Sequence, residues 1–281
     1  MNRFTGIVAV LILGCCAQYG AAGLVGYWPF NGTGNDASGV NTNLTLVGDA
    51  SYGSSLSGGM GSSLSLDGNG DAAIGTNFVK VAGNNATISA WVFANSISGT
   101  DWDSVLKNWG TGAAGQFHFG IGQGTTRMQG ITGGFNTIID PNNFPVGQWV
   151  HVAWVMDADV SILAPIQRLY LNGSQVATGT YSGVLTQGTA TGLGIGYKPN
   201  DDGTALSNNG PGAWNGRIDD VGIFNEVLGD SAIMQIYQNG LQGIQLDGTS
   251  VPEPSSATMA MVALSGLGLA WRRGKARSRQ S

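Results

Sequence analysis

The chain has 281 residues, of which 47 are Gly and only 10% are charged, with a net charge of −5. Helical solenoids, coiled coils and disordered acidic tails each need Ala/Glu/Lys/Leu richness or heavy charge and are excluded, while 42% apolar residues and 8 Trp supply the core of one large domain or two small ones. Between residues 23 and 250 six cations face sixteen acids, a balance of −10 that repels phosphate backbones and excludes nucleic acid as a partner.

The N-terminus carries Arg3, an apolar run from Phe4 to Leu13, and small residues at Gly20, Ala21 and Ala22. A positive end, an apolar stretch too short to span a bilayer and a small-residue exit predict a signal peptide over residues 1–22. Cys15 and Cys16 both fall inside it, so cleavage near Ala22 leaves a chain without a disulfide. Ile12-Leu13-Gly14-Cys15 also resembles a bacterial lipoprotein box, and lipidation at Cys15 stays open beside plain cleavage.

Residues 24–250 read as one all-β domain. Thr87–Ala94, Trp149–Met156 and Leu169–Leu171 are β-branched and aromatic runs bounded by Gly, Asn, Asp and Pro, the composition of strands between turns. Asn172-Gly173 between two such runs predicts a two-residue hairpin turn, which needs positive φ at both positions. Several runs are apolar on both faces, as in strands packed between layers, so a sandwich is expected. Gly120–Gly124 and Gly192–Gly196 open no helix and read as strand segments with bends, not phosphate loops. Asp230–Asn239 is the one helical pattern, capped by Asp230, with Ile233, Ile236 and Tyr237 on one face.

Gly26-Tyr27-Trp28-Pro29-Phe30-Asn31, Leu64-Ser65-Leu66-Asp67-Gly68, Thr87-Ile88-Ser89-Ala90-Trp91-Val92, Gly147-Gln148-Trp149-Val150-His151, Leu169-Tyr170-Leu171-Asn172-Gly173 and Trp214–Asn225 follow one another along the chain. In this order and spacing the segments resemble a laminin-G-like, concanavalin A-like jelly roll. The resemblance implies two antiparallel sheets with first and last strands adjacent, and a role in binding carbohydrate or protein, with some glycan-cleaving relatives.

Catalytic residues are not evident. Glycoside cleavage needs two carboxylates facing one sugar bond. The only glutamates are Glu226 and Glu253, too few for the Glu-rich strand of the glucanase relatives. His118 and His151 sit in strand-like runs and read as structural residues, and nucleophile-elbow, zinc-protease and phosphate-loop motifs are absent from the sequence. A secreted glycan-active hydrolase or lyase using Asp101 or Asp103 is the alternative reading. Asp219 shares strand parity with Val221 and Ile223 and is expected to point inward, where a carboxylate needs a cation or several donors. Resemblance to the glucanase branch implies a structural Ca²⁺ at Asp219, with Asp36 or nearby carbonyls completing an oxygen shell. The other reading has Asp219 accept backbone N–H bonds from the N-terminal strand. Asp67-Gly68-Asn69-Gly70-Asp71 begins like a calcium loop, but Ala72 and Phe78 break that pattern and a solvated turn is expected. Trp91, Trp149 and Trp154 read as core. Trp102, Trp109, Trp214 and Tyr197 lie in Gly/Asp/Asn-rich stretches and are the candidate ligand-binding aromatics, able to stack on a sugar's apolar face.

Val251-Pro252-Glu253-Pro254 is followed by seventeen uncharged residues, 255–271, and then by Arg272-Arg273-Gly274-Lys275-Ala276-Arg277. At 1.5 Å per residue a helix over 255–271 reaches about 26 Å, near the lower limit for a membrane span, with the basic end held at the cytoplasmic side. Residues 251–281 thus resemble the PEP-CTERM sorting signal of exopolysaccharide-producing Gram-negative bacteria. That implies an exosortase-type processing enzyme, transient anchoring in the membrane through the C-terminal helix, and delivery to the cell surface or extracellular matrix. The sequence therefore describes an exported, non-catalytic protein that binds extracellular polysaccharide or a surface protein.

Overall fold

The computed structural model describes residues 23–112, 114–160, 165–185, 187–209 and 212–251. The expected signal peptide over 1–22 and membrane helix over 255–271 lie outside them, and no helix among the described residues is long and apolar enough to cross a membrane. The strands are β1 (Leu24–Trp28), β2 (Thr45–Val47), β3 (Ser51–Ser54), β4 (Ser62–Asp67), β5 (Ala72–Gly75), β6 (Ala86–Ser96), β7 (Asp103–Asn108), β8 (Phe117–Ile121), β9 (Met128–Thr132), β10 (Thr137–Ile139), β11 (Trp149–Asp157), β12 (Ile166–Leu171), β13 (Ser174–Thr180), β14 (Leu193–Ile195) and β15 (Asn215–Phe224). Among the described residues one α-helix, α1 (Asp230–Leu241), follows them.

The strands form two antiparallel sheets stacked as a jelly roll. The first runs β13-β12-β11-β6-β15-β4-β3 with β1 added beside β15, and the second runs β10-β9-β8-β7-β14-β5-β2. Along one edge β15 pairs with β6. Its other edge is shared, β4 taking Asn215–Ile218 and β1 taking Val221–Phe224. First and last strands are adjacent, as the resemblance implies. Asn172 and Gly173 join β12 to β13 with φ of 48° and 76°, the left-handed pair that a two-residue primed turn requires.

Two-sided apolar strands have a direct physical use in this fold. In β11, Val150, Val152, Trp154 and Met156 point between the sheets, whereas Ala153 and Val155 point the other way, onto a second cluster with Tyr170, Phe224, Ala232, Ile233 and Ile236. The central strands of the first sheet are therefore buried on both faces, inside by the second sheet and outside by α1. Helix α1 starts one residue earlier than the sequence pattern suggests, since Asp230, expected as the cap, is its first helical residue. Gly229 is its N-cap, without a side-chain cap bond, and Asp230 instead accepts a 2.6 Å hydrogen bond from the Tyr170 hydroxyl, which ties the first turn to the sheet. Trp91 and Trp154 are core, at 2% and 0% exposure. Trp149 is only half-buried, on the outer face of the first sheet, edge-on to Phe93 with the Arg217 guanidinium over both rings.

Where β15 passes from β4 to β1 the register shifts, and Asp220 adopts φ 51°. The backbone break turns two neighbouring carboxylates into the interior. Asp220 Oδ1 accepts from the Tyr27 hydroxyl at 2.6 Å and the Leu246 N–H at 3.1 Å, while Asp219 accepts from the Ser55 hydroxyl and the Asp220 N–H. Burial, reinforced by the neighbouring Asp220 charge, holds Asp219 well above the usual carboxylate range. Burial likewise pushes Asp220 up to about 6, against the pull of its Tyr27 and Leu246 bonds.

A folded pKa above the unfolded one gives stability that is complete below about pH 4 and lost as pH rises through about 6. The Asp220→Asn variant keeps an acceptor at Oδ1 but cannot ionise. Urea unfolding from pH 4 to 7 is expected to show a smaller stability loss with rising pH for this variant than for the parent. Parallel profiles would contradict the assignment.

Candidate functional site

Strand alternation places a set of side chains on the outer face of the second sheet. In β8 Phe117, Phe119 and Ile121 belong to the interior cluster, so His118 between them projects outward. Register sets Lys107 of β7 opposite His118, and His118 opposite Ile131 of β9, making a cross-strand row of three. Trp102 precedes β7 and Trp109 follows it, so one six-residue strand carries an indole at each end. Phe135, in the turn between β9 and β10, and Lys198, in the loop after β14, complete the walls of a cavity of about 230 Å³.

The walls are held by hydrogen bonds rather than left to loop flexibility. Asp101 accepts the Trp102 N–H at 2.8 Å, and the segment at Gly212 lies against the Trp102 carbonyl and accepts the Ser104 N–H at 2.9 Å. Behind Trp109, Gly112 donates to Asp201 at 3.1 Å and Thr111 shares a 2.8 Å bond with Ser207. These bonds fix that loop to the one bearing Lys198, which is itself closed by a Pro199–Leu206 bridge and a 2.9 Å bond from the Ser207 N–H to the Lys198 carbonyl. Phe135 is 75% exposed and sits at φ 61°, a backbone region that costs a bulky residue free energy, with its ring 5.3 Å from that of Trp109 in an edge-on contact.

The polar groups of the cavity are short of partners. Lys107 is 6% exposed; its Nζ lies 5.3 Å from the centre of the Trp102 ring and makes no hydrogen bond or ion pair among the described residues. Burial, aided by the Lys198 ammonium and opposed by the charge of Asp101, lowers Lys107 to about 7. His118 is 2% exposed and packs edge-on against Trp102 at 4.8 Å; neither ring nitrogen makes a well-formed hydrogen bond among the described residues, the Ile121 carbonyl acting on the ring from outside good hydrogen-bond geometry. Burial, then the Lys107 charge, keeps it well below the usual imidazole range, outweighing the raising effect of the Ile121 carbonyl. Lys198 donates to the Asn209 carbonyl at 2.8 Å. Among the described residues no carboxylate lines the cavity.

Of the four aromatics expected to bind ligand, Trp102 and Trp109 meet in this cavity. Tyr197 is half-buried one residue before Lys198 and does not line it. Trp214 is 1% exposed, donates its indole N–H to the Phe93 carbonyl at 3.1 Å and packs on Phe144, so it is a core residue. Its Gly-rich flank marks close backbone approach rather than an exposed loop. Sequence reasoning missed Lys107, Phe135 and Lys198, and took His118 as structural. A signal for two of them was present: Phe-His-Phe alternation turns His118 away from the core, and a lysine within an apolar strand flanked by two tryptophans faces the same side. His151 is structural, bonded through Nε2 to Ser89 at 2.9 Å beneath Trp91 and Tyr237.

Asp36 and Asp219 do not come together as a metal site. Asp36 already accepts backbone N–H bonds from Tyr27, Ser38, Val40 and Asn41 plus the Ser38 hydroxyl, which organise the loop after β1. Asp219 is occupied by Ser55 and Asp220, within its own sheet. Asp101 holds Trp102 and Asp103 accepts from Ser98, and neither is among the residues that line the cavity. Among the described residues the carboxylates that do converge are Asp49, Asp67 and Asp71, with oxygens within 4.8 Å of one another at a polar hollow. The stretch read as a solvated turn contributes two of these three.

The profile of the concanavalin A-like lectin/glucanases superfamily matches residues 67–234, and that of the PEP-CTERM protein-sorting motif matches residues 250–274. The sorting motif implies exosortase processing of an exported chain anchored transiently in the membrane. No curated protein sequence matches the chain. Domain 4 of AbnA, a GH43 extracellular arabinanase from Geobacillus stearothermophilus solved in complex with arabinotriose, aligns with a TM-score of 0.56 at 18% identity over 77% of this chain and 99% of that domain. The receptor binding domain of botulinum neurotoxin C/D mosaic serotype (TM-score 0.55, 15% identity) and the binding domain of Paraclostridial Mosquitocidal Protein 1 (0.54, 15%) align over 77% and 78% of this chain, which spans about half of each, 51% and 52%. At these identities the likeness is one of fold.

Core and cavity tryptophans should separate by stability. Trp214→Ala is expected to cost about 3–5 kcal/mol in denaturant unfolding, as for a fully buried aromatic, and Trp109→Ala less than about 1 kcal/mol. Equal losses would contradict the placement of Trp109 on a cavity wall.

Proposed function

We propose that this chain, which belongs to the concanavalin A-like lectin/glucanases superfamily, is a non-catalytic protein of the cell surface or extracellular matrix of a Gram-negative bacterium that binds extracellular polysaccharide. The observation that carries this reading is the cavity on the second sheet, with Trp102, Trp109 and Phe135 as apolar walls around a few inward polar groups. Flat rings stack on the apolar faces of sugars while polar groups meet hydroxyls, and a hollow of this kind excludes water from both. The absence of a carboxylate from the lining supports binding over glycoside cleavage, which needs an acid and a second carboxylate across the bond. The sorting motif supports delivery outside the cell.

Full-length protein in detergent, presented to an array of bacterial and plant polysaccharides with arabinotriose as a soluble probe, is expected to bind at least one glycan. Trp109→Ala is expected to weaken that binding about tenfold or more, equivalent to about 1.4 kcal/mol. Absence of binding to any glycan, or binding unchanged by Trp109→Ala, would overturn this reading.

The proposal includes a structural Ca²⁺, held not by Asp36 and Asp219 but by Asp49, Asp67 and Asp71. Three carboxylates form the all-oxygen donor set that this cation prefers. Asp71 is 1% exposed, lines the hollow and leaves Oδ1 without a hydrogen-bond partner, while Oδ2 accepts the Asp67 N–H at 2.7 Å. Burial holds Asp71 above the usual range against the pull of that Asp67 bond, with the Asp67 and Asp49 charges adding to it. A divalent cation relieves both costs.

Excess CaCl2 is expected to raise the melting temperature by several degrees, since ligand at 100 times its Kd adds about 2.7 kcal/mol. Both Asp49→Asn and Asp71→Asn should abolish the rise. An unchanged melting curve would contradict the site.

A further inference from the structure

The chemistry of the cavity is unusual for the body that carries it. The region between residues 23 and 250 has a balance of −10 and only three lysines, Lys80, Lys107 and Lys198, yet two of them converge on one hollow. Neither has a carboxylate beside it in the lining. Burying an ammonium without a counter-charge is expensive. At Lys107 the compensation among the described residues is the face of the Trp102 ring 5.3 Å away and the more distant charge of Asp101, and the fully buried His118 next to it in register makes no well-formed hydrogen bond at either ring nitrogen. A core position would have been filled at lower cost by Leu or Met. An incoming anion would satisfy these groups together.

We propose that the cavity is selective for a saccharide unit bearing an anionic group, a carboxylate or a sulfate, which accepts hydrogen bonds from Lys107 and Lys198 while its ring lies against Trp102 and Trp109. The proposal rests on the glycan-binding reading and adds the charge of the ligand. Among the described residues Lys198 donates to the Asn209 carbonyl alone, which leaves donors for an anion. Nearby charges are few. Asp101 acts on Lys107 and Asp201 on Lys198, both favouring the protonated ammonium, whereas the two lysines disfavour each other and His118 stays neutral. Since free Lys107 titrates near 7, the anion-binding form of the site predominates below neutrality and is depleted above it.

Titration calorimetry of the full-length protein in detergent tests this with matched pairs: oligogalacturonate against its carboxyl-reduced form, and sulfated galactan oligosaccharides against their desulfated form. The acidic member of at least one pair is expected to bind ten times or more tighter at pH 6, with the pair that discriminates identifying the anion. That preference should shrink about tenfold by pH 8.5, where a uronate or sulfate is still ionised. Lys107→Met is expected to abolish the preference while raising the melting temperature, because it removes an uncompensated charge; Lys198→Gln supplies the same binding test should the first variant misfold. Acidic and neutral members bound alike, at both pH values and in both variants, would overturn the charge selectivity and leave the glycan-binding reading standing. No binding of any member by protein that binds a glycan on the array would overturn the charge selectivity alone, whereas acidic binding untouched by Trp109→Ala would overturn both.

Discussion

Everything in this molecule depends on how four sheet faces are covered. Stacking the two sheets buries two faces against each other, with Trp154, Phe117, Phe119 and Val152 in the space between. Helix α1 covers part of a third through Ala232, Ile233 and Ile236. The outer face of the second sheet is where buried polar side chains and half-exposed rings collect around a hollow. Removing apolar area from water drives the first three packings, and what is left open is free to carry ligand chemistry.

The last long strand makes that division of labour. β15 lies at the centre of the first sheet, bonded to β6 on one side and to both β1 and β4 on the other, so the chain's first and last strands close one layer together. The break at Asp219–Asp220 that lets two strands share an edge also brings two carboxylates inside, where Tyr27, Ser55 and Leu246 must satisfy them. Those aspartates are thereby structural: their bonds fasten the N-terminal strand and the segment after α1 to the sheet.

Much of the fold was legible because strands and turns obey local rules. Two-sided apolar runs, the Asn172-Gly173 turn and the ordered aromatic segments all correspond to elements of a jelly roll. The site was less legible. Trp102 and Trp109 were recognisable as aromatics outside strand patterns, but Trp214 has the same sequence surroundings and is core, because a glycine-rich flank permits tight packing as readily as exposure. Lys107, Phe135 and Lys198 escaped notice since they meet only through strand register and loop closure, across more than ninety residues of chain. Asp49, Asp67 and Asp71 illustrate the same limit, as does Asp36, whose carboxylate is consumed by its own loop.

A buried lysine without a carboxylate partner is the feature that ties sheet geometry to ligand chemistry. The most direct measurement is an NMR titration of the Lys107 side chain in the intact protein, free and in the presence of saturating acidic oligosaccharide, the proposed ligand. Expected are a midpoint near 7 in the free protein and an upward displacement when ligand is present, because an anion beside the ammonium stabilises its charged form. A free midpoint near the ordinary lysine value, about 10.4, or one unmoved by bound ligand, would contradict the assignment of this cavity as the binding site.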